Sequence, residues 1–404
     1  MELIMENVRC FAGRHRVPIK PLTILVGENS SGKTSLLAAL SVVCNTRGLG
    51  VQPNFNIPPY SLGNFDTILT SRNGKQTQTK HFSIGLIRNG GENDHATEFL
   101  ASYISDQGRA QLLRLTAKRQ KDNISIEIDE SHKKYKYQYQ FKGESRISAF
   151  TDPKEGSGAD VKYLAAVIIL RDLMPAIKTL SIAPVRTRPE RTYDQFIEKF
   201  NPEGAHIPFI LDRILSSKTT SEQKKILVST LEQFGKESGL FKNIEIKKLG
   251  DSPSDPFQVV VEVAGKKANL VDVGYGVSQL LPLVVQSILA ADESLILLQQ
   301  PEVHLHPKAQ AALGSFFVDM VADGGKQFVV ETHSDYIVDR IRQEVAAGKI
   351  KSDSVSILFF EKSGIETKIY QIGIDDLGNV VGAPPSYREF FLQEELNLLT
   401  RGRR

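Results

Sequence analysis

A glycine-rich segment near the amino terminus has the residue types and spacing of a phosphate-binding loop. Four residues separate Gly27 from Gly32, and Lys33 and Thr34 follow directly. The glycines let the backbone wrap so that N–H groups point at phosphate oxygens, and the helix that follows adds its positive end. We expect Lys33 to reach the β and γ phosphates of a nucleotide and the Thr34 hydroxyl to ligate Mg²⁺. The predicted nucleotide-binding residues of this loop are Asn29, Ser30, Ser31, Gly32, Lys33, Thr34 and Ser35.

A second group of polar residues follows an apolar run late in the chain. The run 295–298 predicts a buried strand, which ends in Gln299 and Gln300, with Glu302 two residues further on. An apolar strand that ends in polar groups is typical of a Walker B element, whose polar residues hold a metal ion and an attacking water. His304 and His306 have the spacing of a metal pair, but they lie inside this motif without a cysteine partner, so we predict no separate metal site there.

The elements that must position these residues are those of an α/β protein. Apolar runs at 3–10 and 22–26 predict strands, and the Leu- and Ala-rich run 35–43 predicts the helix after the loop. From Gly274 onward strands and helices alternate, which indicates a parallel sheet. The elements predicted there are helices at 278–290, 307–321 and 334–347 and strands at 295–298, 327–331, 354–361 and 367–372.

The middle of the chain has a different pattern. Period-two alternation over 82–150 predicts an antiparallel sheet with one solvated face. In it, Tyr135, Tyr137 and Tyr139 alternate with lysine and glutamine residues, which is expected of aromatic side chains packed inward, with contact to nucleic acid as the alternative. The stretch that follows, to about residue 242, is predicted to be mostly helical.

Taken together, these segments resemble the heads of ABC-type ATPases, and more narrowly the AAA-type ATPases related to the ATPase half of OLD-family nucleases. The resemblance rests on the P-loop and on the following segments: the Walker B region 295–307, the signature-like loop 273–279, the switch-histidine segment 331–334, the arginine motif 183–193 and the tail 375–391. It covers both ends and the centre of the chain. Arg186, Arg188 and Arg191 of the arginine motif could bind an anion, contact a second subunit or form internal ion pairs.

The resemblance implies that ATP and Mg²⁺ lie between two copies of the chain. Ser278, with the backbone of 274–276, would cap the γ-phosphate held by the P-loop of the other copy, and His333 would sense that phosphate. Position 299 would hold Mg²⁺ together with Thr34. The predicted catalytic residues are Gln299, Gln300, Glu302 and His333.

The chain departs from this family at its Walker B positions. The family places an acidic residue at 299 and a glutamate, or in some members a glutamine, at 300, whereas Gln299 and Gln300 are both neutral. An amide supplies neither charge to a metal nor a basic site for water. Three explanations follow: the protein hydrolyses ATP poorly, Glu302 partly substitutes, or one glutamine is a deliberate isosteric replacement that traps the ATP-bound state. We favour the last interpretation, which predicts impaired ATP hydrolysis.

The predicted fold class is α/β, an ABC-type P-loop ATPase head with an antiparallel β subdomain and a helical insertion. The predicted segments are the amino-terminal part of the head (1–81), the β subdomain (82–150), the helical insertion (151–243), the carboxyl-terminal part of the head (244–373) and a tail (374–404).

Composition narrows the function classes. The 404 residues carry a net charge of +3, which is too mild to indicate a nucleic-acid partner, and two cysteines, expected in the core, favour a reducing cytoplasm. No run is long and apolar enough to predict a membrane span. We expect the residues after His333 to be too few for an OLD-type nuclease domain.

We therefore expect a cytoplasmic ATPase that forms an ATP-sandwiched homodimer or a higher oligomer. It would act as a switch for a separate effector, a nuclease or toxin, in prokaryotic anti-phage defence. The alternative is a DNA-repair or recombination ATPase that acts directly on DNA. A transporter subunit is disfavoured, because neither transport-type signature spacing nor a membrane-contact helix is evident.

Overall fold

A computed structural model gives the fold of the chain. It describes residues 1–45, 53–72, 75–76, 80–88, 97–119, 122–129, 134–141, 144–151, 177–194, 199–217, 219, 221–252, 255–387 and 389. The strands are β1 (Glu2–Val8), β2 (Phe11–Pro18), β3 (Leu22–Gly27), β4 (Ser71–Arg72), β5 (Lys75–Gln76), β6 (His81–Arg88), β7 (Thr97–Asp106), β8 (Arg109–Arg119), β9 (Asp122–Asp129), β10 (Lys134–Phe141), β11 (Glu144–Thr151), β12 (Thr179–Ile182), β13 (Asn243–Lys248), β14 (Phe257–Val263), β15 (Lys266–Asn269), β16 (Leu295–Gln299), β17 (Gln327–Glu331), β18 (Val355–Ser363), β19 (Glu366–Ile374) and β20 (Val380–Val381). The helices are α1 (Lys33–Cys44), α2 (Phe65–Ile68), α3 (Ile207–Leu215), α4 (Glu222–Ser238), α5 (Tyr275–Leu289), α6 (Pro307–Ala322) and α7 (Asp335–Ala346).

These elements form two compact units. The chain crosses from one unit to the other inside the glycine-rich loop, after Asn29. The first unit comprises Met1–Ile19, Ser30–Thr179 and Lys362–Lys368, and the second comprises Lys20–Asn29, Leu180–Glu361 and Ile369–Arg404.

The first unit contains an antiparallel sheet of eight strands in the order β11-β10-β9-β8-β7-β6-β1-β2. Its strands pair antiparallel throughout, as the alternating pattern of 82–150 predicts. Phe55, Phe82 and Tyr103 form an aromatic cluster against this sheet, with ring centroids 5.1 to 5.5 Å apart. The tyrosine-rich segment is strand β10, but its side chains lie outside the described residues, so both interpretations of it stay predictions.

The second unit is built on a sheet of seven strands in the order β12-β16-β17-β3-β18-β19-β20. Strands β16, β17, β3 and β18 are parallel, and β19 pairs antiparallel with β20. The central strands are almost wholly apolar because helices cover parallel sheets on both faces, and Leu298, Phe328 and Ile24 are fully buried. The predicted α/β class is thereby confirmed.

Helices of the second unit begin where capping residues predict. Ser334 caps α7 by accepting a hydrogen bond from the backbone N–H of Ile337, and His306 caps α6 before the helix-starting Pro307. Helix α4 ends at Gly239, whose φ of 71° is left-handed.

One part of the predicted helical insertion is a strand. Thr179–Ile182 forms β12 at the edge of the seven-stranded sheet, next to β16. A short β-branched and aliphatic run that stops before Pro184 fits a sheet edge better than a helix. Helices α3 and α4 occupy the later part of the segment, and the strongly apolar run 161–174 lies outside the described residues.

Candidate nucleotide-binding site

The glycine-rich loop leads from β3 into α1, and two of its positions require glycine. Gly27 has φ of +136°, and a Cβ there would collide with the carbonyl oxygen of Phe360. Gly32 has φ of +96°, and a Cβ would lie 2.5 Å from Cys10 Sγ. Neither end of the loop therefore carries a side chain, so phosphate groups can approach its backbone N–H groups closely.

The start of α1 has the charge that phosphate groups need. Lys33 is the first residue of α1, only 3% exposed, and its Nζ lies 3.5 Å from the Oγ of the fully buried Ser31. The first turn of α1 contains no acidic side chain, and its amino end has no side-chain cap. The positive end of this helix therefore suits an anion. Together with the Thr34 and Ser35 hydroxyls, this donor set fits the phosphates of a nucleotide.

Arg9 contacts the start of α1, which the sequence analysis did not predict. Its guanidinium donates to Ser35 Oγ at 3.1 Å and to the Ser61 carbonyl oxygen at 2.9 Å. Partial burial lowers the pKa of Arg9. Arg9 precedes the loop by almost twenty positions in the sequence, so its contact with α1 becomes visible only in the fold.

The Walker B glutamines lie at the carboxyl end of the parallel sheet. Gln299 is the last residue of β16 and is paired in register with Glu331, the last residue of β17. The backbone N–H of Gln300 donates to the Glu331 carbonyl oxygen at 2.7 Å, and Gln300 adopts a left-handed φ of 43°. Both glutamines are half-buried.

Glu302 contacts the switch segment rather than open solvent. It is 9% exposed, and its Oε1 accepts a hydrogen bond from the backbone N–H of His333 at 2.7 Å. Burial raises the pKa of Glu302, while bonds from His333 and Thr332 and the positive charge of Arg186 act in the opposite direction. This bond joins Glu302 to the backbone of the switch segment.

His333 itself is exposed and borders a cleft of about 640 Å³. Gly27 and Glu28, the first residues of the glycine-rich loop, line the same cleft. The structure therefore brings the predicted switch histidine to the entrance of the phosphate loop within the second unit.

Ser278 lies in the first turn of α5 and is 6% exposed. Its hydroxyl donates to the carbonyl oxygen of Tyr275 at 3.0 Å. Tyr275 is 52% exposed, and its ring packs edge-on against His304 at 5.5 Å. A Cβ at Gly274, the residue before the helix, would meet no atom within 4 Å. The signature-like loop is thus open at Gly274, whereas the hydroxyl of the buried Ser278 is bonded within its own helix.

The arginine motif is hydrogen-bonded to the signature helix. Gln279 of α5 accepts from the backbone N–H of Arg186 at 3.0 Å and donates to the Arg186 carbonyl oxygen at 3.3 Å. The Arg186 side chain is buried, whereas Arg191 pairs on the surface with Asp272 at 2.9 Å. Of the three interpretations of Arg191, the structure therefore favours an ion pair within the chain.

The predicted site residues fall into two groups. Ser30–Ser35 belong to the first unit, and Asn29, Ser278, Gln299, Gln300, Glu302 and His333 belong to the second. Within the described residues no group of three or more His, Cys, Asp or Glu side chains could hold a metal ion, and His306 Nδ1 accepts a bond from the N–H of Lys308. No helix in the described ranges is sufficiently long and apolar to span a membrane.

Comparison with known proteins agrees with the motifs. The family model of the AAA ATPase domain matches residues 1–160 and 109–338. An OLD nuclease of Thermus scotoductus is 21% identical over 360 residues, which make up 85% of this chain and 60% of that protein. The chain thus spans about 60% of the length of this curated relative. The predicted relationship to AAA-type ATPases of the OLD type is confirmed.

Solved structures with detectable similarity include SMC head domains. A head bound to the C-winged helix domain of ScpA has a TM-score of 0.46 and 12% identity, with 92% of this chain and 97% of that chain covered. The SMC head from Thermotoga maritima has a TM-score of 0.40 and 11% identity, with 91% and 97% covered. Both TM-scores are below 0.5, so neither similarity bears on the function of this chain.

Proposed function

The chain belongs to the family of AAA ATPase domains, and from that premise we propose that it is a nucleotide-driven switch. It binds ATP with Mg²⁺, pairs with a second copy around the nucleotide, and so controls a separate effector. The observation that carries this proposal is the loop between β3 and α1, where two obligatory glycines precede the buried Lys33.

Nucleotide binding follows from the charges of the loop. Lys33 balances the β and γ phosphates, and the amino end of α1 adds backbone N–H groups and its dipole. Mg²⁺, when bound, neutralises charge on the phosphates, with Thr34 and Gln299 as the side chains that the family pattern assigns to it. His333 at the cleft beside Gly27 reports whether the γ-phosphate is present.

Pairing of two copies is supported by the surface around the signature-like loop. Val185, Val271 and Tyr275 are exposed by 73%, 38% and 52% of their surface. They lie on the arginine motif, on the segment around Asp272 and on α5. The backbone bond of Arg186 to Gln279 joins the arginine motif to α5, and the Arg191–Asp272 ion pair joins the motif to the segment around Asp272. Exposed apolar side chains beside a helix start that suits an anion are expected of an interface that a second chain completes. In that arrangement Ser278 acts on the nucleotide of the other copy.

Hydrolysis is slow in this proposal. The two glutamines at the end of β16 provide no carboxylate to activate water, and Glu302 is committed to the switch segment. A long-lived ATP-bound state suits a switch better than a motor.

The effector and its setting rest on the family resemblance. The OLD relative carries a nuclease in its name, and this chain matches 60% of its length. We propose that the effector here is a separate nuclease or toxin and that the pair serves anti-phage defence.

Calorimetric titration with a non-hydrolysable ATP analogue and Mg²⁺ tests the nucleotide site. Lys33→Ala removes the cation beside the phosphates and should weaken binding tenfold or more, that is by about 1.4 kcal/mol or more. A matched control is Lys326→Ala, since Lys326 is also buried but bonds to the Gly324 carbonyl oxygen. Equal affinity of the Lys33→Ala variant and the parent would refute the site.

A further inference from the structure

A groove of about 1220 Å³ lies between α4 and α6. All the residues that line it belong to the second unit. The groove includes residues 292–293, which precede β16, and 324–326, which precede β17, so it lies at the amino ends of the parallel strands. Gln299 and Glu331 end these two strands at the opposite edge of the sheet. A partner in this groove would therefore lie apart from the Walker B and switch residues.

The floor of the groove is apolar. Phe234 of α4 and Phe316 of α6 are 2% and 3% exposed and pack edge-on, with ring centroids 5.6 Å apart. Leu289 and Met320 line the groove and are partly buried against the core. Ile226, two turns before Phe234 on α4, also lines the groove and is 48% exposed. The groove thus presents apolar surface that a partner could cover.

The rim of the groove carries an excess of negative charge. Among the described residues that line it, six have carboxylates and two are lysines. The acidic residues are Glu222, Glu237, Asp292, Glu293, Asp319 and Asp323. Lys349 pairs with Glu344 at 2.8 Å, and Lys326 donates to a backbone carbonyl oxygen of its own turn at 3.2 Å. Glu222 is paired with Lys225 at 3.6 Å, so the excess charge lies with the other five carboxylates.

Two of these carboxylates are joined by one amide group. Gln233 Nε2 donates to Glu237 Oε1 at 3.1 Å and to Asp319 Oδ2 at 3.5 Å, which links a carboxylate of α4 to one of α6. Burial raises the pKa of Asp319; Lys349 lowers it, and neighbouring carboxylates, among them Glu237 and Asp323, raise it further. A pKa that is higher in the folded chain means that the ionised carboxylate lowers stability at neutral pH.

Charge that is kept at a cost in stability around an apolar floor is expected of a binding surface. An acidic rim repels phosphate groups and attracts lysine and arginine side chains. Amphipathic helices dock into such grooves through apolar residues at helical spacing. We propose that this groove binds a basic amphipathic segment of a partner protein. Its apolar side chains lie against Ile226, and its cationic side chains pair with Glu237 and Asp319.

In the function proposed above this partner is the separate effector, and the inference rests on that proposal for the identity of the partner alone. The carboxylates and the apolar floor favour a basic segment whatever protein supplies it.

The test uses a dye-labelled synthetic peptide with the repeat Lys-Leu-Leu-Lys, titrated into the full chain without nucleotide and followed by fluorescence anisotropy. The double variant Glu237→Gln, Asp319→Asn keeps the side-chain sizes and removes two charges. We expect its Kd for the peptide to rise about fivefold or more, and its melting temperature to equal or exceed that of the parent. Carboxylates with a merely structural role would instead lower the melting temperature when replaced. Ile226→Ser should raise the Kd about threefold or more.

The matched control is the double variant Glu203→Gln, Asp251→Asn, which removes two exposed carboxylates of the same unit outside the groove. Its Kd should stay within about twofold of the parent. A second peptide with the repeat Glu-Leu-Leu-Glu tests the sign of the charge and should bind at least about tenfold more weakly.

Three results would overturn the inference. They are a parent that binds neither peptide, equal Kd values for the parent and the Glu237→Gln, Asp319→Asn variant, and equal binding of the basic and acidic peptides. Self-association of the parent that this variant abolishes would also overturn it, because the groove would then belong to a second copy of the chain. These measurements contain no nucleotide, so failure of ATP binding in the calorimetric titration would overturn the proposed function alone.

Discussion

Restoring a carboxylate at position 299 is the perturbation that most directly probes the chemistry of this chain. Gln299→Glu keeps the length of the side chain and returns a negative charge to the end of β16. General-base and metal contributions are each worth roughly 10²-fold in rate, so turnover should rise by at least about tenfold.

The register also gives this variant a cost. Gln299 and Glu331 are paired in register, so Gln299→Glu places two carboxylates on adjacent strands, whose backbones lie about 5 Å apart. At an effective dielectric constant of about 20, their repulsion is on the order of 3 kcal/mol. The variant should therefore unfold at a lower temperature than the parent in EDTA and recover when Mg²⁺ and nucleotide are added.

A phosphate-release assay under saturating Mg²⁺-ATP measures the change in turnover. Thermal melts in EDTA and with Mg²⁺ and nucleotide measure the change in stability. Gln299→Asn, which changes length without adding charge, is the matched control and should give neither. Brisk turnover by the parent, or a Gln299→Glu variant as slow as the parent, would refute the account of the paired glutamines.

Three further predictions concern other parts of the site. Ser278→Arg should leave ATP binding by the single chain near the parent value and abolish ATP-dependent pairing in size-exclusion chromatography, whereas a normal dimer would show that the signature assignment is wrong. Glu302→Gln keeps the oxygen that accepts the hydrogen bond from His333, so its ATP turnover should stay within about threefold of the parent. Glu302→Ala removes that oxygen and should lower the free energy of unfolding by about 1–3 kcal/mol. Loss of turnover in Glu302→Gln would instead identify Glu302 as the general base. Gly32→Ala forces a left-handed φ and a 2.5 Å approach to Cys10, so chemical denaturation should show a loss of about 1–3 kcal/mol and nucleotide binding should weaken; a stable variant with normal affinity would contradict the described loop.

The sequence predicts the parts of this fold whose signals are local. The spacing of Gly27, Gly32 and Lys33 locates the loop because left-handed backbone and close approach exclude other residues there. Strand β17 has the predicted bounds, Gln327–Glu331, because a strand buried on both faces is a continuous apolar run with sharp ends.

Features that depend on neighbours in space are not predictable in this way. Glu331 reads as the end of an apolar strand, and its pairing with Gln299 appears only when β17 is seen beside β16. The contact of Arg9 with Ser35 depends on the fold, and the strand conformation of β12 depends on its pairing at a sheet edge. The sequence marks Glu302 as a candidate catalytic carboxylate, and only the fold shows that its Oε1 accepts a hydrogen bond from the His333 backbone.

The central claim is that ATP brings two copies of this chain together. Mass photometry of the full chain, with and without Mg²⁺ and a non-hydrolysable ATP analogue, measures this directly, and Lys33→Ala provides the control. We expect a species of single mass without nucleotide, a species of twice that mass with nucleotide, and no change of mass in the Lys33→Ala variant. A parent that keeps one mass in both conditions, or a dimer that forms equally well without nucleotide, would contradict it.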